Sequence, residues 1–198
     1  PGEKASYSDT NYQLLGLVIE SVTGKQLHAI YQSLLFEPLD MPSTYLHTRS
    51  EPKTPQTKEI AHIYYKDIDL TYNDAFKTSW ADGGLVSTMA DCLRFLKALN
   101  RGDIFQDDDT LAMMHDWRKL EFPLRYGFGT MSMKLPRIFA PFSPIPEVIG
   151  HFGSTGIGLF FCAELDVYLV GATNQVNSQT KLNQLIIGMI NQMKNLER

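Results

Sequence analysis

At 198 residues, with 43% hydrophobic and 20% charged side chains, the chain is long enough for a domain with its own core and too apolar to be disordered. A formal net charge of −4, with no basic tract, argues against nucleic acid as a partner. The longest apolar runs stop well short of the roughly 18 residues a membrane-spanning helix needs, and Pro1-Gly2-Glu3-Lys4 lacks the apolar core of a signal peptide. The compartment stays open.

In chain order, residues 11–23 read as a helix whose Leu14, Leu15, Leu17, Val18, Ile19 and Val22 surround most of its girth. Such a helix is expected to be buried on several sides, and Gly24 supplies its stop. A second helix is predicted over 25–36, where Leu27, Ile30, Tyr31, Leu34 and Leu35 give an amphipathic stripe that Pro38 ends. Residues 47–59 are polar, with Pro52 and Pro55, and read as a surface excursion. A short strand is expected near 60–65 and a tight loop at Asp82-Gly83-Gly84. Thr88, with Asp91 three positions on, reads as the cap of a helix over 89–100 that buries Leu93, Phe95, Leu96 and Leu99.

After Pro123 the pattern turns to strands. A glycine-rich aromatic stretch from Tyr126 to Met131 and a proline-rich crossing (Pro136, Pro141, Pro144, Pro146) precede three apolar runs, at 147–153, 157–164 and 167–174. The break near Asp166 is short enough for a hairpin, so the last two runs should be antiparallel neighbours. A final helix over 179–196 carries Leu182, Leu185, Ile186, Met189, Ile190 and Met193 as one stripe to lie on the sheet. The fold class is α+β, an antiparallel sheet flanked by helices, with 1–122 mainly helical and 123–198 supplying strands and the last helix. Cys92 and Cys162 are too few for a disulfide scaffold and read as buried thiols. His28, His47, His62 and His115 show no ligand spacing, so neither a metal nor any other cofactor is expected.

Four stretches stand out in order: Tyr7-Ser8-Asp9-Thr10-Asn11-Tyr12-Gln13-Leu14-Leu15-Gly16, Phe36-Glu37-Pro38-Leu39-Asp40-Met41, Gly83-Gly84-Leu85-Val86-Ser87-Thr88, and Gly150-His151-Phe152-Gly153-Ser154-Thr155-Gly156. Together, and across nearly the whole chain, they resemble the serine β-lactamase-like family of class C β-lactamases, D-alanyl-D-alanine carboxypeptidases and related esterases. The first resembles the family's tyrosine motif, usually Tyr-Ser-Asn or Tyr-Ala-Asn. The last resembles its Lys-Thr-Gly or His-x-Gly triplet on the innermost strand. A shifted reading, Ser8-Asp9-Thr10 against a Ser-Asp-Asn motif, fits less well because Asn11-Tyr12-x-Leu-Leu-Gly follows.

The resemblance implies acyl transfer to a serine, with roles for particular residues. A serine hydroxyl is a poor nucleophile until a base takes its proton. Tyr7 would be that base, provided positive charge draws its pKa down from about 10. In the family a lysine one turn after the serine supplies such charge. His151 would stand across the cleft and donate a hydrogen bond toward Tyr7 or a substrate carboxylate. Gly153 would leave room for the acyl group, with Ser154 beside it as a second substrate contact and Asp9 as a third. Asp9 departs from the usual asparagine, because an ionised aspartate only accepts hydrogen bonds, and this leans the reading away from an efficient β-lactamase. Half of the oxyanion hole would come from the serine's own amide and half from the strand.

The nucleophile itself is hard to place. Ser50-Glu51-Pro52-Lys53 has a proline where a helix is needed. Ser178-Gln179-Thr180-Lys181 follows the His-x-Gly strand, which reverses the family's order. Neither is expected to act, and the serine is expected upstream of Pro1, together with the first strands of the sheet. The domain would then be incomplete and inactive alone. Gly153–Gly158 is not a phosphate loop, since it lacks the lysine and no helix is predicted after it. The resemblance implies a small-molecule or peptide substrate bearing an ester, amide or β-lactam bond. The reading from another class is a binding or self-association module that pairs through an exposed sheet edge.

Overall fold

A computed structural model of the chain describes residues 3–55, 59–136, 138, 144–176 and 178–196; the expected surface excursion and the proline-rich crossing, with Pro141, fall partly outside them. The chain folds as two compact units, one of residues 7–95 and one joining residues 3–6 to residues 96 onward.

In the first unit, α1 (Asp9–Thr23) ends at Gly24, which takes a left-handed conformation and donates from its amide to Glu20 O. The Glu20 carboxylate in turn accepts from Leu27 N at 2.8 Å, which ties α1 to the start of α2 (Leu27–Tyr31). The second helix widens into a π-helical segment (Gln32–Phe36) before Pro38. The burial expected for α1 does not hold. Gly16 is its one buried residue, seated against Trp80 and Ala81, while Leu14, Leu15, Leu17 and Val18 are each more than half exposed. The described residues cover only one line of this helix.

Short strands complete that unit. β1 (Tyr45–Leu46) pairs antiparallel with β4 (Leu85–Val86), and β2 (Tyr64–Tyr65) with β3 (Ile68–Asp69), followed by α3 (Asp74–Thr78). Thr88 caps α4 (Met89–Arg101) as expected, its hydroxyl accepting from Asp91 N at 3.2 Å. The Asp91 carboxylate does not close the capping box. It is buried, accepts from Ser43 N and Thr44 Oγ1 at 2.9 Å each, and pairs with Arg94 at 2.8 Å. Three bonded groups on one buried carboxylate satisfy the rule that such charge must be paired. On α4, Leu96 and Ala98 are buried and Leu93, Phe95 and Leu99 half-buried.

The second unit holds a six-stranded antiparallel sheet in the order β10-β9-β8-β7-β6-β5. Its strands are β5 (Arg118–Lys119), β6 (Leu124–Tyr126), β7 (Met131–Met133), β8 (Val148–Phe152), β9 (Ile157–Cys162) and β10 (Val167–Ala172). β9 and β10 are the expected hairpin, closed by a 3-10 turn with Asp166 left-handed. The glycine-rich stretch after Tyr126 forms the β6–β7 turn, where Gly127 N donates to Thr130 O. α5 (Asp108–Met114) precedes β5, and the backbone of Ala5 donates to Lys119 O on that edge strand.

α6 (Gln179–Leu196) lies on the sheet. Leu182, Ile186 and Ile190 are buried against Met133, Val148, Phe160, Cys162 and Leu169. Each such side chain contributes about 1.5–3 kcal/mol when fully removed from water. The stripe is narrower than expected: Leu185 and Met189 face away and are about half exposed. They sit off the 182-186-190 line, on the side of the helix away from the core, whereas Ile187 and Met193 pack against it in part. Cys162 is buried and Cys92 half-buried, both as free thiols. Among the described residues no helix is long and apolar enough to cross a membrane.

Candidate active site

Tyr7 stands one residue before the N-cap Ser8, which makes no side-chain cap, so the first turn of α1 is bounded by Asp9 instead. That carboxylate is well placed against the positive end of the helix. It also takes the Tyr7 hydroxyl as a hydrogen-bond donor. The ring of Tyr7 is 5.8 Å from that of Tyr12, and the Asp82 charge lies nearby. Asp82 is held by the turn it closes, its carboxylate accepting from Trp80 N at 2.8 Å.

These surroundings push the Tyr7 phenol far above its ordinary value of 10. Partial burial is the largest cause, followed by the bond to Asp9 and then the charges of Asp9, Tyr12 and Asp82. Each of these favours the protonated phenol. The cation that the chemistry of a tyrosine base requires would have to offset these effects. Replacing Asp9 by asparagine removes the strongest acceptor and one negative charge. The Asp9→Asn protein is therefore expected to show a lower Tyr7 pKa, read from the phenol carbon resonance during a pH titration. An unchanged titration would show that Asp9 does not hold the hydroxyl.

His151 lies on β8, between the strand pairs Gly150↔Phe160 and Phe152↔Gly158. Its Nδ1 is 2.8 Å from Phe152 O, and a carbonyl only accepts, so Nδ1 carries the proton. Its Nε2 is 3.1 Å from the Tyr126 hydroxyl, and the two rings meet edge to face with centroids 5.7 Å apart. The neutral ring therefore directs its N–H at the backbone.

Gly153 and Ser154 form the turn after β8. Gly153 N donates to Ile157 O at 2.8 Å and Gly156 N to Gly153 O at 3.0 Å. A side chain at Gly153 would meet only Thr155 Oγ1, at 4.0 Å, so this edge is open; Ser154 is exposed. Gly156 is the opposite case. It has φ +80°, and a Cβ there would strike Thr173 Oγ1 at 2.1 Å and Ser178 Oγ at 2.5 Å. The run leads directly into strand β9, as the absence of a phosphate-loop lysine implied.

In both serine-x-x-lysine stretches the hydroxyl is engaged locally. Ser50 Oγ accepts from Leu46 N at 3.0 Å in a segment without helix. Ser178 is buried, with Oγ 2.6 Å from Thr173 Oγ1 and donating to Gln175 O at 2.7 Å. Tyr7, Asp9 and Asp82 thus form one group in the first unit, and His151, Tyr126, Gly153 and Ser154 stand in the second. Asp82 and Tyr126 were not singled out from sequence. Strand register was the signal for Tyr126, and it is not readable from a three-residue strand.

The family model for Beta-lactamase matches residues 1–187, and the chain belongs to that family. The D-amino acid amidase of Ochrobactrum anthropi SV3, solved with L-phenylalanine, superposes on the whole chain with a TM-score of 0.83 and 25% identity. A penicillin-binding protein of Bacillus halodurans shares the fold over 96% of the chain, with a TM-score of 0.70 and 18% identity. The teichoic acid D-alanine hydrolase of Staphylococcus aureus is 26% identical over 130 residues, 64% of this chain. The chain spans 59% of the amidase, and its match to the hydrolase covers 32% of that protein. The α+β fold with an antiparallel sheet is thus that of the serine β-lactamase-like enzymes, matched over part of their length.

Proposed function

We propose that these residues supply the base and the substrate strand of a serine hydrolase that cleaves an ester or amide of a D-amino acyl group. The observation that carries this reading is Tyr7, with Asp9 on its hydroxyl, at the head of α1 within a family match that runs to residue 187. A D-alanine hydrolase and a D-amino acid amidase among the relatives support the choice of acyl group.

In this reading the nucleophilic serine and its lysine come from a segment preceding Tyr7 in the whole protein. The lysine also answers the proton affinity of Tyr7, since only a nearby cation can offset Asp9 and Asp82. The Tyr7 phenolate takes the serine proton as the serine oxygen bonds to the acyl carbon, then returns it to the departing alcohol or amine. Water repeats the sequence on the acyl-enzyme. Gly153 and Ser154 border the acyl group, and the strand supplies an amide to the oxyanion.

Initial rates of the whole protein on a D-alanyl ester, a D-amino acid amide, its L-isomer and a cephalosporin test the reading. Turnover of the D-compounds ahead of the other two is the expected result. A cephalosporin hydrolysed fastest would move the substrate to β-lactams.

A second reading, a self-associating module without catalysis, is favoured by the exposed apolar residues of α1 and by β10 at the end of the sheet. Light scattering on the 198-residue chain decides it. Oligomers support the module, and a stable monomer counts against it.

A further inference from the structure

We propose that Tyr126 is a positioning residue for His151, and that its hydroxyl, together with the Phe152 carbonyl, holds the imidazole in the Nδ1–H tautomer. The catalytic consequence rests on the reading of His151 as a site residue, whereas the tautomer follows from the geometry alone. Phe152 O accepts from Nδ1 at 2.8 Å, which leaves Nε2 of the neutral ring with a lone pair. The Tyr126 hydroxyl, 3.1 Å away, is the donor that meets it. Two bonds at opposite corners fix the ring plane, and the edge-to-face contact at 86° fixes its tilt.

Tyr126 is itself held firmly enough to act in this way. It closes β6 and is paired on both sides, with Arg118 across β5 and Met131 across β7. Met131 is in turn paired with Gly150, the residue before His151. The backbone just beyond Tyr126 is anchored as well: Phe128 N donates to Met114 O at 3.0 Å, and the Thr130 hydroxyl donates to the same carbonyl at 3.2 Å. A side chain at Gly127 would lie 1.9 Å from that oxygen, so this turn has no freedom to withdraw.

The consequence for chemistry is specific. The neutral His151 offers no N–H to a substrate carboxylate. Its Nε2 is hydrogen-bonded to a phenol, so its protonation is coupled to the Tyr126 hydroxyl.

Imidazole nitrogen resonances of the whole protein, recorded at about pH 8.5 where an ordinary histidine is neutral, test this directly. The expected pattern for His151 is a protonated Nδ1 and a bare, hydrogen-bonded Nε2. Tyr126→Phe should move the Nε2 signal and raise the share of the Nε2–H tautomer against the remaining hold of the Phe152 carbonyl. It should also lower D-ester hydrolysis about tenfold, the scale of one hydrogen bond. A proton on Nε2 in the unaltered protein, or a pattern that Tyr126→Phe leaves unchanged, overturns the proposal. A tautomer change with hydrolysis unaffected supports the lock and instead removes His151 from the reaction. Should Tyr126→Phe fail to fold, 3-fluorotyrosine in place of tyrosine is the second measurement. A stronger phenol donor shifts Nε2 of His151 if the bond exists, and an unmoved signal sinks the idea.

Discussion

Tyr7→Phe in the whole protein is expected to lower kcat for D-ester hydrolysis by about 10²–10⁴-fold, the range that a positioned acid–base group contributes. KM should change little, because the phenol oxygen acts on the proton in transit and the ring remains to pack against Tyr12. Stability should stay within about 0.5 kcal/mol, since Tyr7 is 40% exposed and water can replace its hydroxyl on Asp9. This combination separates a base from a packing residue. A tyrosine that served only to start α1 would shift the urea midpoint and leave kcat nearly alone. Rates measured across pH on both proteins, with urea melts alongside, decide between the two.

Gly150→Ala should have the largest effect on the fold. A Cβ at this position would lie 1.9 Å from Leu159 O and 2.8 Å from both Leu159 C and Phe160 Cα. All three are backbone atoms of β9, so no side-chain rotation relieves the clash. The β8–β9 pairing must open at Gly150↔Phe160, and Phe160 is among the most buried side chains of the core under α6. Overpacking ordinarily costs about 1–3 kcal/mol, and a clash with fixed backbone belongs at or above the top of that range. Against a typical total of about 5–15 kcal/mol this is a large fraction. A urea midpoint unchanged by Gly150→Ala would mean that β8 and β9 are not in this register. His151, next in the chain, would then have to be placed anew.

Much of this architecture could be read from residue patterns, for physical reasons that particular elements make clear. α6 was expected over 179–196 and occupies Gln179–Leu196, because a long amphipathic helix repeats its signal several times. β9 and β10 were legible as apolar runs around one short break. β5, β6 and β7 have only two or three residues each, too few for any period to register, so a six-stranded sheet was not anticipated. The apolar girth of α1 was correctly seen, but burial depends on what covers a helix and not on its own sequence.

The candidate site divides in the same way. Local motifs marked Tyr7, His151 and the Gly153 turn. Their working state depends on groups that no spacing rule connects. Asp82 reaches Tyr7 from the Trp80–Gly84 turn, and together with Asp9 it opposes the ionisation that a base needs. Tyr126 reaches His151 across two strand pairings and bonds its Nε2. Ser50 and Ser178 show the converse. Neither was expected to act despite its spacing to lysine, and each hydroxyl bonds to the backbone.

The central claim is that residues 1–198 hold the base and the substrate strand while the nucleophile lies outside them. Labelling with a fluorophosphonate, followed by mass-spectrometric mapping of the adduct, addresses it most directly. The account expects the whole protein to be labelled on a serine preceding Tyr7, Tyr7→Phe to slow that labelling, and the 198-residue chain alone to take none. An adduct on Ser50, Ser178 or any other serine of the isolated chain would contradict it.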